Sequence, residues 1–93
     1  MPPISRGVTL YTTRFCPYCV RAKSLLDHKG VTYTEIAVDS DPELRREMVN
    51  LSGRTSVPQI WIGEHHIGGC DEMMLLERQG RLDEFVKRAF AEP

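Results

Sequence analysis

Cys16 and Cys19, separated by two residues in Cys16-Pro17-Tyr18-Cys19, are the side chains of this chain best suited to chemistry. A CxxC pair supports two readings. Its thiols can exchange with a disulfide, or they can serve as half of a zinc site whose other ligands Cys70, His65 and His66 would supply. Pro17 favours the redox reading. It suits the first position of a helix, where its missing N–H is no loss, and this puts Cys16 at the helix N-cap. A thiol there meets free backbone N–H groups and the positive end of the helix dipole, both of which favour thiolate. Cys16 is therefore the expected nucleophile. Arg14, Arg21 and Lys23 are expected to add positive charge around it, with no comparable cluster around Cys19. Cys19, one turn into the helix and facing the protein, is the expected resolving thiol, with the higher pKa. It would attack a mixed disulfide formed by Cys16.

The elements that must position this pair follow from pattern and punctuation. Gly7 to Tyr11 is short, β-branched and aromatic, as a first strand should be, and Thr12-Thr13-Arg14 ends it. Ala22, Leu25 and Leu26 give the next helix an apolar stripe that stops before Gly30. Val31 to Val38 reads as a second strand. Asp41-Pro42-Glu43 supplies a cap, a proline at the first helical position and a first-turn acid. Leu44, Met48 and Leu51 then recur at helical spacing up to Gly53. Gln59–Ile62 and His65–Gly68 flank Gly63-Glu64 as two antiparallel strands around a tight turn. Asp71 and Glu72 precede the apolar Met73 to Leu76 as the acidic start of a third helix ending near Gly80. From Leu82 to Phe90 the pattern is that of an amphipathic helix. The order is βαβαββαα, an α/β fold in which a four-stranded mixed sheet is flanked by helices.

Bulk properties narrow the function. The 93 residues allow one domain, spanning 1–93. A net charge of -1 lacks the basic field that nucleic-acid binding needs. The amino terminus has no apolar signal core, and no apolar run approaches the length of a membrane span, so the expected location is cytoplasmic, with no membrane partner. Three cysteines cannot all pair within one chain, which favours catalytic, redox or metal-binding thiols over a secreted disulfide scaffold.

Three motifs in order, Cys16-Pro17-Tyr18-Cys19, Arg54-Thr55-Ser56-Val57-Pro58 and Gly68-Gly69-Cys70-Asp71-Glu72, resemble those of a dithiol glutaredoxin of the bacterial glutaredoxin 3 type, a likeness running from Val8 to about Phe85. The resemblance implies a thioredoxin-like fold and a cis bond before Pro58. It implies a glutathione-dependent thiol–disulfide oxidoreductase, with glutathione as co-substrate and no tightly bound cofactor or metal. For the glutathione site it implies backbone pairing at Val57 beside Pro58, Arg45 on the glycyl carboxylate, and Asp71 on the glutamyl ammonium. The N–H groups of Asp71 and Glu72 would hold the glutamyl carboxylate, and Tyr18 would flank the ligand. Where the family has Lys three residues before the nucleophile this chain has Thr13, and Arg14, one place later, is the expected substitute. Cys70 is either a secondary thiol or a passive small residue. The implied partners are glutathione and disulfide-bonded or glutathionylated proteins, ribonucleotide reductase among those served by relatives, with the protein acting as a monomer. The pair would act mainly as a reductant, at a family-like potential of about -200 to -230 mV. A binding protein for an iron–sulfur cluster or zinc is the rival of another class, with Pro17 set against cluster binding. A thioredoxin-like protein reduced by a flavoenzyme is a second, disfavoured by Arg45, Asp71 and the double glycine.

Overall fold

The computed structural model describes residues 7–91. Its elements run β1 (Val8–Thr12), α1 (Pro17–His28), β2 (Thr34–Ala37), α2 (Pro42–Ser52), β3 (Gln59–Ile62), β4 (His65–Gly68), α3 (Cys70–Arg78) and α4 (Leu82–Phe90). The sheet order is β2-β1-β3-β4. β1 and β2 are parallel, whereas β3 runs antiparallel to both β1 and β4, so the sheet is mixed, as the element order requires.

Alternation along the two central strands sorts their side chains to opposite faces. Val8, Leu10, Ile60 and Ile62 join Ala22 and Leu26 of α1, Cys70 and Met73 of α3, and Leu82 of α4. Tyr11 and Trp61 point the other way and pack with Val38 and with Met48 of α2. Three helices thus cover one face and a single helix the other. Leu10, Leu26, Ile60, Met73 and Leu82 are fully buried in the first cluster. Each such side chain contributes roughly 1.5–3 kcal/mol, so this face holds the β1–α1 turn in place.

β1 is shifted by one residue, Val8–Thr12 instead of Gly7–Tyr11, and the edge strand β2 departs further from expectation. β2 covers only Thr34–Ala37 instead of Val31–Val38, and most of it is exposed. Val31 is used to close α1: its N–H donates to Leu26 O at 2.9 Å, and Gly30 N–H donates to Asp27 O at 3.1 Å. Gly30 takes φ +71° at that closure, so the chain turns there before it can enter the sheet. β-branched composition alone could not distinguish a helix closure from a strand start. α3 begins at Cys70, one residue before the acids expected to open it.

α2 follows its sequence signals closely. Asp41 Oδ1 accepts from the N–H groups of Glu43 and Leu44, both at 3.1 Å. Gly53 closes the helix in the left-handed region. Among the described residues no helix is long and apolar enough to cross a membrane.

Candidate active site

Cys16 is the N-cap of α1, in extended backbone conformation, and Pro17 is the first helical residue. The Cys16 Sγ accepts the N–H of Cys19 at 3.1 Å and lies 3.8 Å from the carbonyl oxygen of Val57, to which the thiol donates. Cys16 is 8% exposed and Cys19 1%. Both are buried, Cys19 the more completely. Burial, reinforced by the contact with Cys16, pushes the Cys19 thiol up to about 12. Cys16 thus stands at the helix cap, and Cys19 lies one turn further on within the protein with its proton held by burial.

The cations divide differently from the expectation. Arg14 Nε donates to Asp39 Oδ2 at 3.1 Å, and its side chain is 74% exposed. Arg21 lies over the Tyr18 ring at 5.9 Å. Lys23, one helical turn beyond Cys19, donates to Glu35 Oε2 at 2.8 Å, and its charge acts on Cys19. Of the three cations expected near the pair, Lys23 therefore lies on the same face of α1 as Cys19, at i, i+4 spacing, while Arg14 and Arg21 have other partners.

Val57-Pro58 is a cis peptide bond. A groove of about 210 Å³ is lined by Tyr18 of α1, by Arg54 and Ser56 to Pro58 of the loop before β3, and by Gly69 to Glu72 at the start of α3. Glu72 closes the start of α3, its Oε1 accepting Gly69 N–H at 2.7 Å. That bond, ahead of any charge effect, holds its carboxyl below the usual range. Gly69 has no side chain to return a bond, so no N-cap side chain occupies the first N–H groups of α3.

Tyr18, Val57, Pro58, Asp71 and Glu72 are brought together around this groove; Arg14 and Arg45 are not among its lining residues. Arg45 Nη1 instead donates to Thr55 O at 3.3 Å, bracing the loop that carries Val57. Cys70 lines the groove but is buried, and burial pushes its thiol up. Sequence reasoning left three neighbours unassigned. Arg54 lines the groove, its Nη2 3.6 Å from Glu72 Oε2. Its signal was its place just before Thr55-Ser56-Val57-Pro58. Phe15, beside Cys16, is 93% exposed, which its apolar character did not announce. Gln59, fully buried, donates to Ser56 O at 2.9 Å and pairs with His66 Nε2 at 2.7 Å. Among the described residues no three or more His, Cys, Asp or Glu side chains gather to hold a metal ion.

Residues 8–67 match the model of the glutaredoxin family. This chain belongs to the glutaredoxin family. The Pseudomonas aeruginosa protein named glutaredoxin is 59% identical over 83 residues, covering 89% of this chain and 94% of that protein. Glutaredoxin 3 of Escherichia coli K12 is 50% identical over 81 residues, covering 87% and 98%. A buckwheat glutaredoxin–glutathione complex superposes with a TM-score of 0.85 at 31% identity, covering 95% of this chain and 84% of that one. The solution structure of a Brucella melitensis glutaredoxin does so at 0.80 and 46% identity, covering 99% and 100%. The mixed sheet with its four helices is the thioredoxin fold of these relatives. Glutaredoxins are glutathione-dependent thiol–disulfide oxidoreductases, and this chain has their activity and their pair of cysteines.

Proposed function

We propose that Cys16 is the nucleophile and Cys19 the resolving thiol, and that the groove leading from Val57 to the start of α3 seats glutathione. Cys16 thiolate attacks the glutathionyl sulfur of a protein–glutathione disulfide. The protein leaves as a thiol and Cys16 carries glutathione. A second glutathione thiolate attacks that glutathionyl sulfur, releasing glutathione disulfide and restoring Cys16. With a protein disulfide, Cys16 forms a mixed disulfide and Cys19 attacks Cys16 Sγ. The reduced protein leaves, and two glutathiones then reduce the Cys16–Cys19 bond.

In this reading the Val57 backbone pairs with the cysteinyl residue of glutathione and Tyr18 flanks it. Asp71 receives the glutamyl ammonium, and the first N–H groups of α3 receive its carboxylate. Arg54 supplies a cation inside the groove, with Arg45 and Arg14 at its approaches. Cys70 is a small buried wall residue. The protein acts as a monomer in the cytoplasm, on disulfide-bonded and glutathionylated proteins.

The observation that carries the reading is Cys16 Sγ, at a helix start, facing the Val57 carbonyl at the head of this groove. Cys16→Ser should abolish both reactions, whereas Cys19→Ser should abolish protein-disulfide reduction and leave deglutathionylation largely intact. Assays coupled to glutathione and to thioredoxin reductase, run side by side, check the reductant. Equal loss from the two variants would rule out the mechanism.

A further inference from the structure

Cys19 has to lose a proton to resolve a mixed disulfide, yet it sits almost wholly out of water. Desolvation disfavours its thiolate, and only nearby positive charge or N–H donors can offset that. When Cys16 is in a mixed disulfide its own contribution to holding the Cys19 proton is gone. What then faces Cys19 is burial, offset by the N–H of Thr13 from the β1–α1 turn and, more weakly, by the ammonium of Lys23, which stands four residues on along the same face of α1.

Lys23 is not a free surface lysine. Its Nζ donates to Glu35 Oε2 at 2.8 Å, and the same oxygen accepts Thr12 Oγ1 at 2.7 Å. Thr12 is buried at the end of β1, and Glu35 lies on the adjacent β2. A fixed carboxylate, itself anchored to the central sheet, therefore holds the ammonium against one face of α1. Tyr33 adds a second group near Lys23.

Building on the assignment of Cys19 as resolving thiol, we infer that Lys23, held by Glu35 and Thr12, is a positioning residue for the dithiol branch, stabilising the Cys19 thiolate as it attacks Cys16 Sγ. In that step the Cys19–Cys16 bond forms and the bond from Cys16 to the substrate sulfur breaks. The departing thiolate takes up the proton that Cys19 gave to water, so no further oxidant or base is required. The monothiol branch, in which an outside glutathione attacks, makes no use of Lys23.

The test prepares the protein with Cys16 in a mixed disulfide with glutathione and measures two rates across a pH series. One is release of glutathione by Cys19 in the absence of added thiol, and the other is release driven by added glutathione. Each unit of lost acidity at Cys19 costs tenfold in thiolate but returns part as nucleophilicity, leaving a loss of about threefold to fourfold. Lys23→Met should lower the ratio of the first rate to the second by about that factor at every pH below the Cys19 titration. Glu35→Gln should lower it less, and Lys23→Arg should restore it. A ratio unchanged in Lys23→Met, with the variant's melting temperature retained, would overturn the inference, as would failure of Lys23→Arg to restore it. Cys19→Ser separates the two levels. If it still releases glutathione without added thiol, the resolving assignment itself fails and the Lys23 role with it. If Cys19→Ser is inert and Lys23→Met matches the parent, only the Lys23 role fails.

Discussion

The sulfur of Cys16 and the carbonyl oxygen of Val57 face each other at 3.8 Å, although the residues are 41 positions apart. The carbonyl can only accept, so it suits the thiol and not the thiolate. The N–H of Cys19 on the other side suits the thiolate. Ionisation of Cys16 therefore loosens its tie to Val57 and tightens its tie to α1. Once Cys16 carries a substrate sulfur it has no proton to give, and the Val57 carbonyl is free to accept an amide from the ligand.

How well Val57 is placed depends on Gln59. Its side-chain amide donates to Ser56 O and accepts from His66, locking the loop to the hairpin from within the protein. Gln59→Leu removes a buried donor and strands the His66 N–H, a cost of about 1–3 kcal/mol. The expected result is a melting temperature lower by roughly 4–8 °C per kcal/mol, together with a raised KM for glutathione. A purely structural role would lower the melting temperature and leave KM unmoved, which kinetics on the folded variant would reveal.

Arg54 and Arg14 are rival cations for the carboxylates of glutathione. Arg54 lines the groove, while Arg14 is engaged with Asp39 outside it. Arg54→Ala should raise KM for glutathione about fivefold, the equivalent of about 1 kcal/mol of a partly exposed charged contact. Arg14→Ala should change it less than about twofold. The reverse ranking in steady-state assays would return the carboxylate to Arg14.

The difference between these two arginines marks how far the sequence could be read. Local signals gave the helices, since Asp41, Pro42, Gly53 and Gly80 act within a turn of where they stand. They also gave Cys16 its cap, because the fixed φ of Pro17 starts α1 at the next residue. The β2 boundary was lost because Val31 has the same side chain whether it closes a helix or starts a strand. The partners of Arg14, Arg45 and Lys23 lie at Asp39, Thr55 and Glu35, across loops and neighbouring strands. Proximity to Cys16 in sequence made all the nearby cations look alike, and only strand register and helix phase separate them. Motif order located the groove, but not that Arg54 lies inside it.

Tyr11 gives the protein an alkaline limit. Its buried hydroxyl donates to Glu47 Oε2 at 2.6 Å, and burial first, then Glu47, push its pKa above the ordinary value of 10.0. The folded state thus holds this proton more tightly than the unfolded state. The associated stability is complete below pH 10.0 and is lost as pH rises from there through the folded-state titration. Tyr11→Phe should cost about 0.5–1.5 kcal/mol at neutral pH and make the decline above that pH shallower. Urea melts between neutral pH and the alkaline limit measure both, and an unchanged slope would exclude Tyr11 as its source.

Gly68 and Gly30 separate backbone strain from damage to the groove. Both have positive φ, +114° and +71°, so alanine is strained at either position, with an expected loss of upward of about 1 kcal/mol. Around Gly30 a Cβ would meet nothing within 4 Å. At Gly68 it would stand 3.0 Å from both Arg54 Nη1 and Glu72 Oε1. Both side-chain ends must give way by a few tenths of an ångström to a methyl group there, and Glu72 is also the acceptor for the Gly69 N–H at the start of α3. Gly30→Ala and Gly68→Ala should therefore both lower the melting temperature, while only Gly68→Ala should raise KM for glutathione, by up to the fivefold expected for Arg54→Ala. Combining Gly68→Ala with Arg54→Ala should then add little in KM, because both disturb the same contact. Full additivity would show that Gly68 acts on glutathione binding by another route.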